Sequence, residues 1–405
     1  MVKNTSIYLV ANILSALLPF LALPYITDQI GPAGYADIGL YFSLVAGLNM
    51  FIGVNGAGLI FKKYSVYRLK HNYVSRYVSA TVLVALLTFL VISLIVYISN
   101  SFNISFFGLS FVWLQLAVIT SLCNYILSLQ LSQLQIDNKA ILYGLLQLSI
   151  PSLSILLAVL LISEGFGSAG RIYAHSLVLI PVTLILLVGL KRKFKLTVEH
   201  NVRIYKSLGS FGLPLIFHLF GIYAITQIDK LFLLDVVGKD QLGVYIFAIQ
   251  FGLLISYIFD SIHKAILPRL YESLKTKKGL AEINRFAGYY ALFSLFLIVI
   301  YFYMSKLAIT LLFDETFLGA IQILPIILVG QAFQGIYLYY ASIIFYFEDT
   351  LQFSTVSFCL GFLNIVGLYL LVPHFQVIGA ALSFSIVMFL RSIYVLFFAN
   401  AKLSS

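Results

Sequence analysis

Long apolar runs alternate with short polar segments, many of them basic, along the whole chain. Twelve runs stand out, at about 7–27, 38–60, 76–98, 107–129, 141–163, 172–190, 211–234, 242–262, 286–304, 319–345, 351–372 and 376–399. A helix rises ~1.5 Å per residue and a hydrocarbon core is ~30 Å thick, so ~20 apolar residues are enough to cross. The runs lack the ~10-residue alternation of membrane β-barrel strands. The pattern predicts an all-α integral membrane protein with twelve transmembrane helices in two six-helix bundles.

Composition strengthens this reading. Of 405 residues, 61% are hydrophobic and 10% charged, against roughly 25% charged in a soluble domain. The chain therefore cannot supply the polar exterior that water demands. Cys123 and Cys359 both fall inside apolar runs and read as small hydrophobes, not as a disulfide framework. Residues 1–30 lack a basic cluster followed by a small-residue cleavage site, so the first run reads as a retained helix.

The net charge of +10 gains meaning from its placement. Basic residues crowd the segments after the second run (Lys62, Lys63, Arg68, Lys70, Arg76), the sixth (Lys191, Arg192, Lys193, Lys195, Arg203, Lys206) and the eighth (Lys264, Arg269, Lys275, Lys277, Lys278, Arg285). Lys3, Lys139 and Lys402 join that side. Arg171, Lys239 and Lys306 fall on the other side, and Lys230 and Arg391 lie within runs. The positive-inside rule makes the crowded side cytoplasmic, with both termini there. Basic segments beside anionic lipid account for the charge without any nucleic-acid role.

The segment 191–206 divides the chain into an N-terminal bundle, 1–190, and a C-terminal bundle, 207–405. The halves echo each other: Asp28 and Asp235, Gly31 and Gly238, and Tyr64 and Tyr271 stand at one offset of 207 residues, and Lys62 falls on Arg269. An even number of runs per half implies a parallel repeat. Secondary transporters are commonly built from such repeats around a central site.

Polar residues inside the runs are the candidate functional groups. Asp229 and Lys230 lie several residues inside the seventh run, where an ionised group costs several kcal/mol unless it faces a polar interior or a partner. Continuous helical spacing places them about 100° apart, disfavouring a mutual salt bridge, and returns His218 to nearly the face of Asp229. Lys230 either adds positive potential to a cavity or joins a buried pair. Asp229 and His218 are candidates for a charge network or for coupling. Arg391, in the twelfth run, either reaches a cavity or snorkels to the headgroups. Thr120, Asn124, Ser128 and Ser132 recur every four residues and form a polar stripe that either lines a cavity or joins helices. Asn49, Asn55, Gln147, Gln322, Gln331 and Gln334 extend this inventory. Pro19, Pro24, Pro214 and Pro325 mark expected bends.

The chain carries no phosphate-binding loop, dinucleotide fingerprint or Cys/His metal spacing. Transport without a cofactor is the expectation, driven by an ion gradient (proton or sodium), the membrane potential, a substrate gradient or a partner, and no catalytic residue is assigned.

Residues 18–34, LPFLALPYITDQIGPAG, and 238–245, GKDQLGVY, are similar to junctions of the polysaccharide-unit flippases, the O-antigen (Wzx-type) branch of the multidrug/oligosaccharidyl-lipid/polysaccharide exporter superfamily. The resemblance covers nearly the whole chain. It implies carriage of an isoprenoid pyrophosphate-linked oligosaccharide across a bacterial inner membrane, membrane lipid as solvent, and a glycan polymerase as partner. It also implies a cationic cavity, to which Lys230 and Arg391 would contribute. Gln133-Leu-Gln135-Ile-Asp137 and Tyr346-Phe-Glu348-Asp349 depart from patterns found in that branch. An ion-coupled multidrug/cation antiporter is the alternative function. It would want a compact acidic site.

Overall fold

The computed structural model describes residues 2–67, 71–104, 106–275, 280–346 and 350–404. Arg68, Lys70, Lys277, Lys278, Glu348 and Asp349 lie outside the described residues. Among the described residues twelve α-helices follow one another: α1 (Val2–Leu21), α2 (Leu23–Asn49), α3 (Gly56–Tyr67), α4 (His71–Ser101), α5 (Phe111–Ile136), α6 (Ala140–Leu161), α7 (Gly167–Phe194), α8 (Val202–Thr226), α9 (Asp229–Lys275), α10 (Leu280–Leu312), α11 (Ala320–Tyr346) and α12 (Thr350–Ser404). These labels follow the hydrogen-bonded segments and do not coincide one to one with the twelve apolar runs. No strand occurs among the described residues.

Among the described residues seven stretches are long and apolar enough to cross a membrane, or up to eight with the bent pair α1–α2. Three of the seven are too long for one crossing. Residues 140–194, 202–264 and 355–403 span 55, 63 and 49 residues, hence on the order of 75–95 Å if straight. Each contains a backbone break and folds back. In α12 the break is at Gln376 (φ 49°, ψ −128°), and Ser383 donates to Asn364 Oδ1 at 2.8 Å across it. Between α6 and α7, Arg171 donates to Ser154 Oγ at 2.9 Å around the turn at 162–167. In α9 the break is Gly238 (φ 72°, ψ −177°).

Gly31 breaks α2 in the same way, with φ 63° and ψ −178°. Two glycines 207 residues apart thus share a backbone conformation that L-residues with side chains rarely adopt. The break between α1 and α2 corrects one expectation. Pro24 does not bend a continuous helix; it begins a new one, at a position where a missing N–H costs nothing.

Packing divides the chain into two units, one of Met1–Ile30 with Asp37–Phe220, the other of Gly31–Ala36 with Gly221–Ser405. The first is centred on Ile52, Ile60, Val78, Tyr125, Leu129, Leu190 and Phe194. A core in the second gathers Tyr290, Tyr337, Tyr339, Tyr340, Ile343 and Ile344. The first also holds the irregular segment 195–201. There Glu199 accepts from Arg76 Nε at 2.7 Å and Nη2 at 2.8 Å, and the Tyr205 hydroxyl donates to its carbonyl oxygen.

Burial separates helices that need lipid from those that do not. The most apolar windows of α4 and α10 are each 17% buried, whereas those of α5 and α11 are each 50% buried. Leu90, Val91 and Leu94 on α4 and Leu295, Phe296 and Val299 on α10 are among the exposed apolar side chains. Hydrocarbon covers such faces at no cost, whereas water does not.

Two predictions follow from these breaks and loops. A Cβ at Gly31 or Gly238 meets nothing within 4 Å, so Gly31→Ala and Gly238→Ala cost only backbone strain, about 1–3 kcal/mol each. Gly243→Ala instead places a Cβ 1.9 Å from the Pro32 carbonyl oxygen and costs more, as thermal unfolding in detergent would register. The hydrogen bonds from Arg76 lower the Glu199 carboxyl from the usual 4.5 to about 2. The stabilisation this gives is complete above about pH 4.5 and is lost as pH falls toward 2. Amide-exchange protection at residues 197–201, taken relative to the intrinsic rate at each pH, should therefore fall over that window, and Glu199→Gln should abolish the fall.

Candidate functional site

The second unit holds the charged candidates, and they sit where a helix is interrupted. α8 ends at Thr226 and α9 starts at Asp229, leaving Gln227 and Ile228 as a turn. Asp229 and Lys230 are 3% and 4% exposed. The Lys230 ammonium donates to Thr226 O at 3.0 Å, Gln227 Oε1 at 3.0 Å and Asp229 Oδ1 at 3.3 Å. Its three N–H groups therefore meet three acceptors. Asp229 Oδ1 also accepts the Lys230 backbone N–H at 3.0 Å, and its Oδ2 accepts the Tyr245 hydroxyl at 2.7 Å.

This geometry corrects the expectation that the adjacent pair does not form a salt bridge. That expectation assumed a continuous helix, in which neighbours diverge. The turn at Gln227–Ile228 places Asp229 in the first turn of a new helix, and the long lysine stem doubles back over the freed carbonyl of Thr226. The same turn removes the shared face proposed for His218 and Asp229. His218 is half-buried in the first unit, and Asp229 belongs to the second.

A cavity of about 60 Å³ adjoins the pair, lined by Thr226, Gln227, Asp229, Tyr245, Gln331 and Phe384 among others. Tyr245 is the functional neighbour that sequence reasoning missed. One tyrosine among 27 carries no mark of its role. Its position sixteen residues beyond Asp229, across the Gly238 break, becomes informative only once that break is known to fold back.

Arg391 lies elsewhere in the same unit. It is 7% exposed, so its guanidinium does not snorkel. Nη2 donates to the Tyr337 hydroxyl at 2.7 Å and Nη1 to Gln334 Oε1 at 3.3 Å, while the group stacks 3.7 Å from the Tyr337 ring centroid. No carboxylate is among these partners.

The polar stripe of the first unit splits in two. Thr120 is fully buried and meets the Tyr41 hydroxyl at 2.8 Å and Ser176 Oγ at 3.3 Å, joining α5 to α2 and α7. Asn124 and Ser128 line a cavity of about 200 Å³ with Asn49, Asn55, Tyr125 and Leu219.

Helices of membrane length that fold back at polar or glycine breaks, with buried charges at one of them, are the architecture of a multi-pass membrane protein. Solved structures share the fold. An inward-facing multidrug resistance MATE family transporter of the MOP superfamily superposes with a TM-score of 0.71 at 14% identity, over 96% of this chain and 94% of that one. A MOP superfamily transporter from Pyrococcus furiosus Vc1 (DSM3638) gives 0.63 at 16% identity, over 99% and 96%. Residues 1–274 match the family model "Polysaccharide biosynthesis protein", and the chain belongs to that family. It is 25% identical to Lsg locus putative protein 1 of Haemophilus influenzae over 96% of this chain and 98% of the relative. It is equally identical to the capsular polysaccharide biosynthesis protein CapF of Staphylococcus aureus, over 98% and 99%. The family is thus one of polysaccharide biosynthesis, and the fold is one that solved MOP superfamily transporters share.

Removing one partner of the buried pair leaves the other charge uncompensated. Lys230→Met and Asp229→Asn should each destabilise the protein by about 3–5 kcal/mol, and the double variant by clearly less than their sum. Unfolding midpoints of the four proteins in detergent check this.

Proposed function

We propose that the protein is a flippase that moves an isoprenoid pyrophosphate-linked oligosaccharide repeat unit from the cytoplasmic to the periplasmic leaflet of a bacterial inner membrane by alternating access. The chain makes twelve crossings in two six-helix bundles, 1–190 and 207–405, joined at 191–206, with both termini cytoplasmic. Support for the count comes from the three overlong stretches, each of which folds back, together with the turn at Gly31. The cargo class is supported by the family match and by the capsular polysaccharide relative.

The observation that carries the choice of cargo is the charge left over inside the second unit. Asp229 and Lys230 cancel. Arg391 remains, a buried cation held by neutral groups alone. Such a charge favours an anionic headgroup such as pyrophosphate, and it disfavours the organic cations of a multidrug antiporter. A proton or sodium gradient supplies the drive, with Asp229 as the coupling group, and a glycan polymerase takes the product on the outer side.

Reconstituted into liposomes with a labelled isoprenoid pyrophosphate-linked glycan, the protein should expose the glycan to an impermeant reagent faster than protein-free vesicles do. Arg391→Met should slow this about 10- to 100-fold, the value of one or two charged hydrogen bonds. Efflux of an organic cation with no movement of the glycan lipid would replace the flippase with the antiporter.

A further inference from the structure

The first-unit cavity contains chemistry that the charges of the second do not explain. α2 ends at Asn49, and after Met50 and Phe51 a short irregular turn, Ile52–Asn55, leads into α3. Gly53, Val54 and Asn55 are consecutive left-handed residues, with φ of 71°, 46° and 49°. Asparagine tolerates that region, but β-branched valine does not. Such strain persists only where the surroundings over-determine it. Here they do: a Cβ on Gly212 would lie 2.2 Å from the Val54 carbonyl oxygen, and one on Gly53 would lie 2.2 Å from the Tyr125 ring.

The turn brings the Asn55 carboxamide to the cavity already lined by Asn49 and Asn124. None of these three side chains has a hydrogen-bond partner among the described residues, and Ser128 donates only to the Tyr125 carbonyl, at 2.7 Å. The repeat supplies a control within the molecule. At the offset of 207, Asn49 and Asn124 correspond to Ser256 and Gln331, and those two hydrogen-bond each other. The second half closes this pair internally, whereas the first half leaves it open.

We infer that the first-unit cavity is a saccharide subsite, in which the carboxamides of Asn49, Asn55 and Asn124 bind hydroxyl groups of the cargo glycan. This deepens the flippase reading and rests on it. Each carboxamide offers two N–H donors and an acceptor oxygen, matching hydroxyls that both donate and accept. No Asp, Glu, Lys, Arg or His lines the cavity, so its ligand is a neutral polyol surface and not the pyrophosphate.

The test compares two probes on the full chain purified in detergent: the lipid-linked precursor extracted from the source cells, and isoprenoid pyrophosphate with no sugar. Wild type should bind the precursor more tightly. Asn49→Ala, Asn55→Gly and Asn124→Leu should each narrow that difference about two- to tenfold, the value of a neutral hydrogen bond. Binding of the sugar-free lipid should be unchanged in all three, as should both affinities in Ser132→Ala. Asn55→Gly removes the amide at a position where glycine keeps the backbone, so its result does not depend on misfolding. Equal binding of both probes by wild type, or an undiminished difference in the three variants, identifies a merely water-filled cavity and overturns the subsite. If precursor still crosses liposomes in either case, the flippase stands; if wild type neither binds nor moves the precursor, both readings fall.

Discussion

In hydrocarbon a peptide group has no water to bond, so each N–H and C=O must find its partner within the protein. A continuous helix satisfies that demand automatically, and a break does not. The architecture of this chain is therefore decided at its breaks. Gly31 and Gly238 adopt a conformation that fits only glycine; the turn at 162–167 contains Gly165 and Gly167, both at positive φ. At Gln227–Ile228 the carbonyl of Thr226 is satisfied by a lysine side chain instead. The polar groups of interest cluster at these points because stabilising a break requires polar groups. Asn55 and the Asp229–Lys230 pair are both products of interrupted helices.

The same constraint assigns different work to two buried cations. Lys230 is saturated: a carboxylate, a carboxamide and a backbone carbonyl take its three donors. It neutralises Asp229 and ends α8, and its value lies in holding the turn. Arg391 has five donors, two of them met by neutral oxygens, and an aromatic face beneath it. Stacking on tyrosine offsets part of the desolvation of a guanidinium but supplies no opposite charge. Of the two residues, Arg391 is the one with electrostatic attraction left to give.

Much of this was legible in the sequence for one reason: a charge or a glycine is conspicuous in an apolar run. Asp229, Lys230, Arg391 and the Gly31–Gly238 echo stood out on those grounds. What the sequence concealed was whether each run is a single unbroken helix. Assuming that it is misplaced the Asp229–Lys230 contact and aligned His218 with Asp229. It also hid the left-handed turn at 53–55, since Ile52-Gly-Val-Asn55 reads as the end of an ordinary apolar run. Tyr245 and Asn364 were invisible for a different reason. Their partners lie across folded-back segments, Asn364 donating to the Ala224 carbonyl at 2.8 Å, and no local pattern encodes such pairs. The stripe of Thr120, Asn124 and Ser128 was correct as geometry, yet helical spacing did not distinguish the buried member from the two that face a cavity.

The repeat separates what the fold requires from what the activity requires. Burial of the apolar windows runs 17%, 50% and 28% across α4, α5 and α6–α7, and again 17%, 50% and 28% across α10, α11 and α12. The two broken glycines superimpose in backbone angles. The break between α1 and α2 at Ala22 falls, by the same offset, on Asp229, directly after the break at Gln227–Ile228. The first is opened by Pro24, which needs no hydrogen bond; the second is held by an ion pair that buries two charges. A proline accomplishes the structural task at lower electrostatic cost, so the need for a break does not explain why the second half uses Asp229 and Lys230. The cavities diverge in the opposite sense, with open carboxamides in the first half where the second has a closed Ser256–Gln331 pair. The two halves agree in where the helices bend and face lipid, while the side chains at the bends are charged in one half and neutral hydrogen-bonding groups in the other.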